Sequence, residues 1–225
     1  MKLGSLLENG SAPARAVRIQ VLALALCALL SLNALAFNSS LQPEEVQDAF
    51  SLGQTTNHEE LADFINQYEH DFKYPSDNPV AFVQSVEFQT PYEQIVLRAL
   101  RTPGYSKFQA DEDYRANPDL VIVRVVVSLK LGYSGPEPPA DSFKVVVSQA
   151  EPIEPQKVTG KGVCNPYNNP YNWNDNSTVA NCVAYTREIL LQFDAGQFAP
   201  GRATVKVLLP FNQSMETKYN LAKLK

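Results

Sequence analysis

The spacing of hydrophobic residues changes near Asp119, and this change divides the chain into two regions. Before Asp119, apolar residues recur every three or four positions, which is the spacing of one face of an α-helix. After Asp119, they recur at every second position, as in a β-strand with one buried face. We therefore predict a mainly helical region over residues 37–118 and an antiparallel β region over residues 119–225.

Capping residues mark the predicted helix starts in the first region. Three pairs of residues have the spacing of an N-cap residue and a partner three positions later. These pairs are Asn57 and Glu60, Thr90 and Glu93, and Ser106 and Gln109. Pro43 opens an earlier helix, which Gly53 ends, and Pro91 occupies the first position of a later one, where proline is favoured. Residues 80–88 alternate weakly and predict a strand between the second and third helices.

The second region contains several alternating runs separated by turn residues. The runs cover residues 120–131, 142–150, 185–195, 203–209 and 218–223. Glycine and proline are concentrated between them, at residues 132–139 and 196–201. Five or six short strands without intervening helices are typical of an antiparallel β-sandwich. The predicted fold class is α+β, with a helical N-terminal lobe followed by such a sandwich, immunoglobulin-like or similar.

The N-terminus has the pattern of a secretory signal peptide over residues 1–36. Arg15 and Arg18 precede the apolar run 19–32, and the small-residue motif Ala34-Leu35-Ala36 follows. The apolar run is shorter than the roughly 20 residues of a spanning helix. We expect cleavage after Ala36, a secreted or periplasmic protein, and no membrane span after cleavage. An uncleaved signal anchor is the alternative, whereas Leu26 before Cys27 disfavours a lipoprotein.

Cleavage changes the charge of the chain. The remaining 189 residues contain 16 basic and 23 acidic side chains, a net charge of −7. Such an acidic protein has no general attraction for nucleic acid. The expected partner is therefore an unidentified protein or glycan, with no nucleic acid and no cofactor.

Two cysteines, Cys164 and Cys182, remain after the predicted cleavage, which removes Cys27. In an oxidising compartment, an even pair of cysteines predicts a disulfide. His58 and His70 are too far from each other and from the cysteines to complete a zinc site. No metal is predicted. The oxygen-rich run 174–177 leaves calcium as an alternative, but this run lacks the spacing of an EF-hand.

The segment between these cysteines, here called the Cys164–Cys182 loop, is the candidate ligand-binding surface. It contains seven asparagines, two Asn-Pro-Tyr repeats and the only tryptophan. Tyr167, Tyr171 and Trp173 offer flat aromatic faces beside amide groups, which suit sugar rings or an exposed partner segment. The alternative is a lid whose rings cover one end of the sandwich. The flanking runs 157–163 and 183–193 predict two neighbouring strands joined by this loop. Two cysteines 18 positions apart around a tryptophan depart from the antibody-type immunoglobulin pattern.

Known catalytic motifs do not occur in the chain, and no catalytic residue is predicted. Neither Gly-x-Ser-x-Gly nor Gly-x-Gly-x-x-Gly is present. The leading hypothesis is an exported, non-enzymatic interaction or structural module. The alternative is an extracellular carbohydrate-active enzyme that uses a pair of carboxylates. Asp141, Glu188 and Asp194 are possible members of such a pair, whereas the run 111–113 is predicted to be a solvated helix face.

The order of several segments resembles that of exported bacterial proteins to which no activity is assigned. The segments are "TPYEQIVLRAL", "YSKFQADEDYRANPD", a valine-rich strand and the terminal "YNLAKLK". The resemblance implies an exported location, and it supplies no catalytic or binding residues.

Overall fold

A computed structural model describes residues 40–74, 81–130, 143–166, 182–210 and 213–225; for residues 130, 163–166 and 182–185 it describes the backbone alone. The chain divides into two units between Ala36 and Phe37, and all described residues belong to the second unit. The predicted signal peptide therefore lies outside the described residues. Tyr167, Tyr171 and Trp173 lie outside them as well. Signal cleavage and the role of these rings stay predictions.

Four α-helices lie in the described residues. They are α1 (Pro43–Gly53), α2 (His58–Ile65), α3 (Pro91–Arg101) and α4 (Lys107–Ala116). The predicted N-caps are confirmed: Asn57, Thr90 and Ser106 each accept a hydrogen bond from the backbone three residues later. None of these helices is long and apolar enough to cross a membrane.

Nine strands lie in the described residues, and they form two antiparallel sheets. The strands are β1 (Glu69–Asp71), β2 (Ala81–Gln89), β3 (Leu120–Lys130), β4 (Lys144–Ser148), β5 (Pro152–Ile153), β6 (Lys157–Pro166), β7 (Cys182–Asp194), β8 (Arg202–Leu208) and β9 (Ser214–Asn220). Sheet A has the order β1-β2-β3-β7-β6, and sheet B has the order β5-β4-β8-β9. The predicted α+β class is confirmed. The last predicted strand ends early, because residues Leu221–Lys223 form a 3-10 turn.

One hydrophobic core joins the two sheets. The odd-numbered residues of β3, from Val121 to Leu129, are buried and belong to the same cluster as Ala203, Val205 and Val207 of β8. Full burial of each such side chain contributes roughly 1.5–3 kcal/mol, so this alternation fixes which face of β3 points inward. A second, smaller cluster packs α1, α2 and α3 together around Val46, Leu61 and Val96.

Helix α3 follows β2 after the single residue Thr90 and contacts that strand. The strands β1 and β2 come from the mainly helical region, yet β2 pairs with β3 in sheet A. The two regions therefore share one sheet. This connection brings the start of α3 beside the polar face of sheet A, the face opposite the core.

Candidate functional site

The polar face of sheet A brings four charged residues together from four strands. In the strand register, Glu69 of β1 lies opposite Glu87 of β2, and Glu87 lies opposite Arg124 of β3. Glu188 of β7 lies on the same face, opposite Val126. Alternate residues of a strand point to the same face of a sheet, so strand pairing places these four residues on one face although they are far apart in the sequence.

Arg124 lies between two glutamates. Its Nε is 2.5 Å from Oε1 of Glu188, and its Nη1 is 3.4 Å from Oε2 of Glu87. Partial burial disfavours the charged guanidinium, but the hydrogen bond to Glu188 and both negative charges raise the pKa of Arg124 above its ordinary value. The guanidinium of Arg124 thus contacts the side chains of both glutamates.

Glu87 is completely buried and only partly paired. Its Oε2 accepts a hydrogen bond of 2.7 Å from Nε2 of Gln89 and lies near Arg124, whereas its Oε1 has no hydrogen-bond partner. An unpaired buried carboxylate oxygen is costly, since it has lost water without replacement.

Glu93, in the first turn of α3, is also completely buried, and neither of its carboxyl oxygens has a hydrogen-bond partner. Burial raises the pKa of Glu93 well above its ordinary value, and the negative charges of Glu87 and Glu69 act in the same direction. Arg101 opposes them. The favoured state of Glu93 is therefore the neutral acid. Glu87 and Glu93 are called the acid pair below.

A groove of about 310 Å³ lies beside the acid pair, between the end of β2, helix α3 and β3. Gln89, Leu97, Arg101 and Ile122 are among its lining residues, but neither member of the acid pair lines it. Arg98, also at this groove, is 2.5 Å from the carboxylate of Asp113. The acid pair is therefore closed off from this groove.

The predicted acidic run 111–113 is only partly a solvated face. Asp113 pairs with Arg98, and it accepts a hydrogen bond of 2.7 Å from the hydroxyl of Tyr105. Although partial burial acts in the opposite direction, these two partners hold the pKa of Asp113 below its ordinary value. Asp113 thus links α4 to α3.

Glu188 and Asp194, the two other predicted carboxylates among the described residues, lie far apart. Asp194 caps the short turn after β7, where its Oδ1 accepts a hydrogen bond of 2.8 Å from the backbone N–H of Gly196. Glu188 and Asp194 are six residues apart on the same strand, a distance of about 20 Å at the rise of an extended strand. A glycosidase pair is about 5–9.5 Å apart. Asp141 lies outside the described residues.

The predicted neighbouring strands around the Cys164–Cys182 loop are confirmed, because β6 and β7 pair directly. Cys164 lies opposite Tyr185, and Cys182 lies opposite Pro166, at the last position of this pairing. The side chains of both cysteines lie outside the described part of the structure. The disulfide stays a prediction.

The outer edge of β6 is the second candidate surface. No described strand pairs with this edge. Lys157, Val158, Gly160, Lys161 and Gly162 are all exposed.

Sequence reasoning missed the acid pair for different reasons at its two members. Glu93 has the spacing of a capping-box partner, but its carboxyl does not bond back to Thr90. Glu87 belongs to a weakly alternating run that indicates a strand but does not predict which strands pair with it. Alternation places Glu87 on the face of β2 opposite the core, so the sequence contains no signal of its burial.

Metal ligands do not cluster within the described ranges: no three histidine, cysteine, aspartate or glutamate side chains come together as a possible metal site. No protein-family model matches this chain, and no curated protein matches it either. The resemblance to exported bacterial proteins stays an expectation.

Proposed function

We propose that this chain is an exported, non-enzymatic interaction module that binds a protein or glycan at one end of sheet A. The proposed contact surface consists of the free edge of β6 and the Cys164–Cys182 loop that follows it. The secreted or periplasmic location rests on the signal-peptide pattern of residues 1–36. The observation that carries the proposal is the exposed edge of β6.

The edge of β6 is long and has an apolar residue in an unusual place. Val158 lies opposite Leu191, a core residue, and therefore belongs to the core-side face of sheet A. Nevertheless, Val158 is 58% exposed. An extended partner segment that adds to β6 would gain main-chain hydrogen bonds and would cover this side chain.

The short edges of the two sheets are protected, in contrast with β6. β1 has three residues, two of them acidic, and β5 has two residues and begins with Pro152. Short length, charge and proline are the usual means of blocking strand addition. β6 has ten residues, and its exposed Lys157 and Lys161 favour a partner segment that carries carboxylates.

The Cys164–Cys182 loop is the proposed continuation of this surface. The pairing of β6 with β7 ends at Pro166 and Cys182, so the loop begins and ends beside the same end of the free edge. Tyr167, Tyr171 and Trp173 are the proposed ligand-binding residues of the loop. An aromatic ring on a constrained loop loses little conformational entropy on binding, which supports a role in recognition.

The proposed scaffold is a β-sandwich of immunoglobulin-like or similar type. The support for it is the single hydrophobic cluster that contains buried residues of both sheets.

The positions of the carboxylates favour a binding module over a carbohydrate-active enzyme. The acid pair is buried and does not line the neighbouring groove. Glu188 forms an ion pair with Arg124, and Asp194 accepts a hydrogen bond from the backbone of Gly196. Hydrolysis of a glycoside needs two carboxyls on either side of a bound sugar.

The experiment is binding of the exported protein to arrays of glycans and of extended acidic peptides. Three variants are compared with the wild type: Val158→Glu on the edge, Trp173→Ala in the loop, and Phe108→Glu as a control on α4. We expect the first two to weaken binding at least about tenfold, a loss of about 1.4 kcal/mol. The control is expected to bind like the wild type, because Phe108 is exposed on another element.

Either a binding and stability result or an activity result would contradict the proposal. In the first, both variants bind as tightly as the wild type, or Trp173→Ala instead unfolds at a much lower temperature, as a lid would predict. In the second, the wild type releases reducing sugar from a glycan, which would favour the enzyme.

A further inference from the structure

The least satisfied buried groups among the described residues are the three free oxygens of the acid pair. They are Oε1 of Glu87 and both carboxyl oxygens of Glu93. Both side chains have zero exposure, so solvent water does not reach these oxygens to replace the missing hydrogen bonds. Two buried, ionised carboxylates in this position would repel each other and would each carry a large desolvation cost.

The surroundings decide which carboxyl holds a proton. Glu87 has donors for its ionised form, since Gln89 bonds to its Oε2 and Arg124 lies 3.4 Å away. Glu93 has no donor for either oxygen. The missing donors therefore favour the protonated form of Glu93.

The charged and titratable groups around Glu93 come from every side of the contact. Glu87 faces it from β2 and Glu69 from β1, and both favour the neutral acid. Arg101, two turns further along α3, favours the ionised form. Tyr68 and Tyr219 face it from the turn before β1 and from β9. Burial raises the pKa of the Tyr219 hydroxyl above its ordinary value, and a negative charge on Glu93 would act in the same direction, so this hydroxyl stays neutral.

We infer that the acid pair is a proton-dependent contact, which holds α3 against sheet A while Glu93 is protonated and loosens this helix when the proton leaves. The two carboxyls lie on the two elements that the contact joins, Glu93 on α3 and Glu87 on β2. Loss of the proton places a second negative charge in the same buried space. Opening of the contact between α3 and β2 is the movement that returns this charge to water.

A metal cation is a poorer occupant of this space than a proton. Glu93 lies in the first turn of α3, where the positive end of the helix dipole disfavours a cation. A third acidic or histidine ligand does not join the pair in the described residues.

The sign of the pH dependence follows from linkage. The pKa of Glu93 is higher in the folded state than in the unfolded state. The stabilising effect is therefore complete below the ordinary pKa of glutamate and is lost as pH rises through the folded-state pKa. Between these two values, the unfolding equilibrium constant should rise up to about tenfold per pH unit, since one proton is released.

The test is a pH series of denaturant unfolding, with hydrogen exchange of α3 followed by mass spectrometry. We expect wild-type α3 to open progressively as pH rises, before the central strand β3 does. Glu93→Gln keeps a neutral side chain of the same shape, so it should abolish this component and leave α3 closed at alkaline pH. Glu112→Gln, an exposed glutamate on α4, is the matched control and should follow the wild type.

The infrared band of a protonated carboxyl gives a second readout that needs no variant. The wild type should show this band above the ordinary pKa range of glutamate and lose it at the pH at which α3 opens. An unchanged pH dependence in Glu93→Gln, or no such band in the wild type, would overturn the inference. Closure of α3 at alkaline pH by calcium chloride, at constant ionic strength, would also overturn it and indicate a cation site.

Discussion

Arg124 shows how one residue can determine whether two others are tolerated. Glu87 is completely buried, whereas Glu188 is partly exposed, and Arg124 contacts both. The buried carboxylate depends more on this arginine, because water can solvate Glu188 in its absence. The contact of Arg124 with Glu87 therefore contributes more to stability than its contact with Glu188.

This difference predicts the outcome of two substitutions. Arg124→Met removes the cation that contacts Glu87 and should destabilise the protein by about 3 kcal/mol, since it leaves a buried charge without this partner. Glu188→Gln removes a partly exposed partner and should cost under about 1 kcal/mol. Denaturant unfolding at neutral pH measures both values.

The exposed pair of Lys218 and Glu216 supplies the control, because its side chains lie 3.3 Å apart and are largely solvated. Lys218→Met should change the unfolding free energy by no more than about 0.5 kcal/mol. Equal costs for Arg124→Met and Glu188→Gln would show that Glu87 does not depend on the arginine.

At the scale of elements, α1 and α3 approach each other closely at Gly53. Gly53, the last residue of α1, lies against the backbone of α3. A Cβ at this position would collide with the carbonyl oxygen of Val96 and would lie 2.7 Å from the Cβ of Ala99. The glycine is therefore required by space, since no side chain fits between the two helices.

Gly53→Ala should destabilise the helical cluster by about 1–3 kcal/mol, the usual cost of overpacking. Gln47→Ala, on the exposed side of α1, should stay within about 0.5 kcal/mol of the wild type. Thermal unfolding of both variants compares the two positions. A Gly53→Ala protein as stable as the wild type would mean that α1 and α3 separate without cost.

The elements themselves were largely predictable, but their pairing was not. The alternation in β3 and the caps of α2, α3 and α4 are local signals, and the structure confirms them. The three-residue strand β1 is stabilised by its pairing with β2, and three residues carry too little periodicity to predict it. The spacing after Thr90 predicts only a capping role for Glu93, because local spacing contains no information about β2 beside it.

At the scale of the whole molecule, the polar site depends on contacts between distant parts of the chain. Arg124 contacts residues 37 positions before it and 64 positions after it. Alternation predicts that Arg124 and Glu188 each lie on the wetter face of a strand, but it does not predict the strand order. The order β1-β2-β3-β7-β6 brings the charges together, and it places β6 at an edge of sheet A.

A disulfide between Cys164 and Cys182 would affect the stability of the whole molecule, because a disulfide acts mainly by restricting the unfolded chain. Seventeen residues lie between the cysteines, and closing a loop of this length contributes roughly 3 kcal/mol. In the strand register, Cys182 lies opposite Pro166, two positions beyond Cys164. Diagonal neighbours have Cα atoms about 7–8 Å apart, slightly beyond the usual disulfide range. The strand ends must therefore move to form the bond, which reduces its stabilising free energy.

We therefore predict a disulfide whose net contribution is about 2 kcal/mol, at the low end of the usual range. Thiol labelling of the exported protein should detect no free thiol, whether native or unfolded in denaturant. Replacement of both cysteines by serine should lower the unfolding free energy by this amount, and the reduced wild type should match the variant. Two reactive thiols after oxidative export would contradict the prediction. In that case β6 and β7 would keep their register without a covalent link, and the rings of the loop would lose the constraint that favours binding.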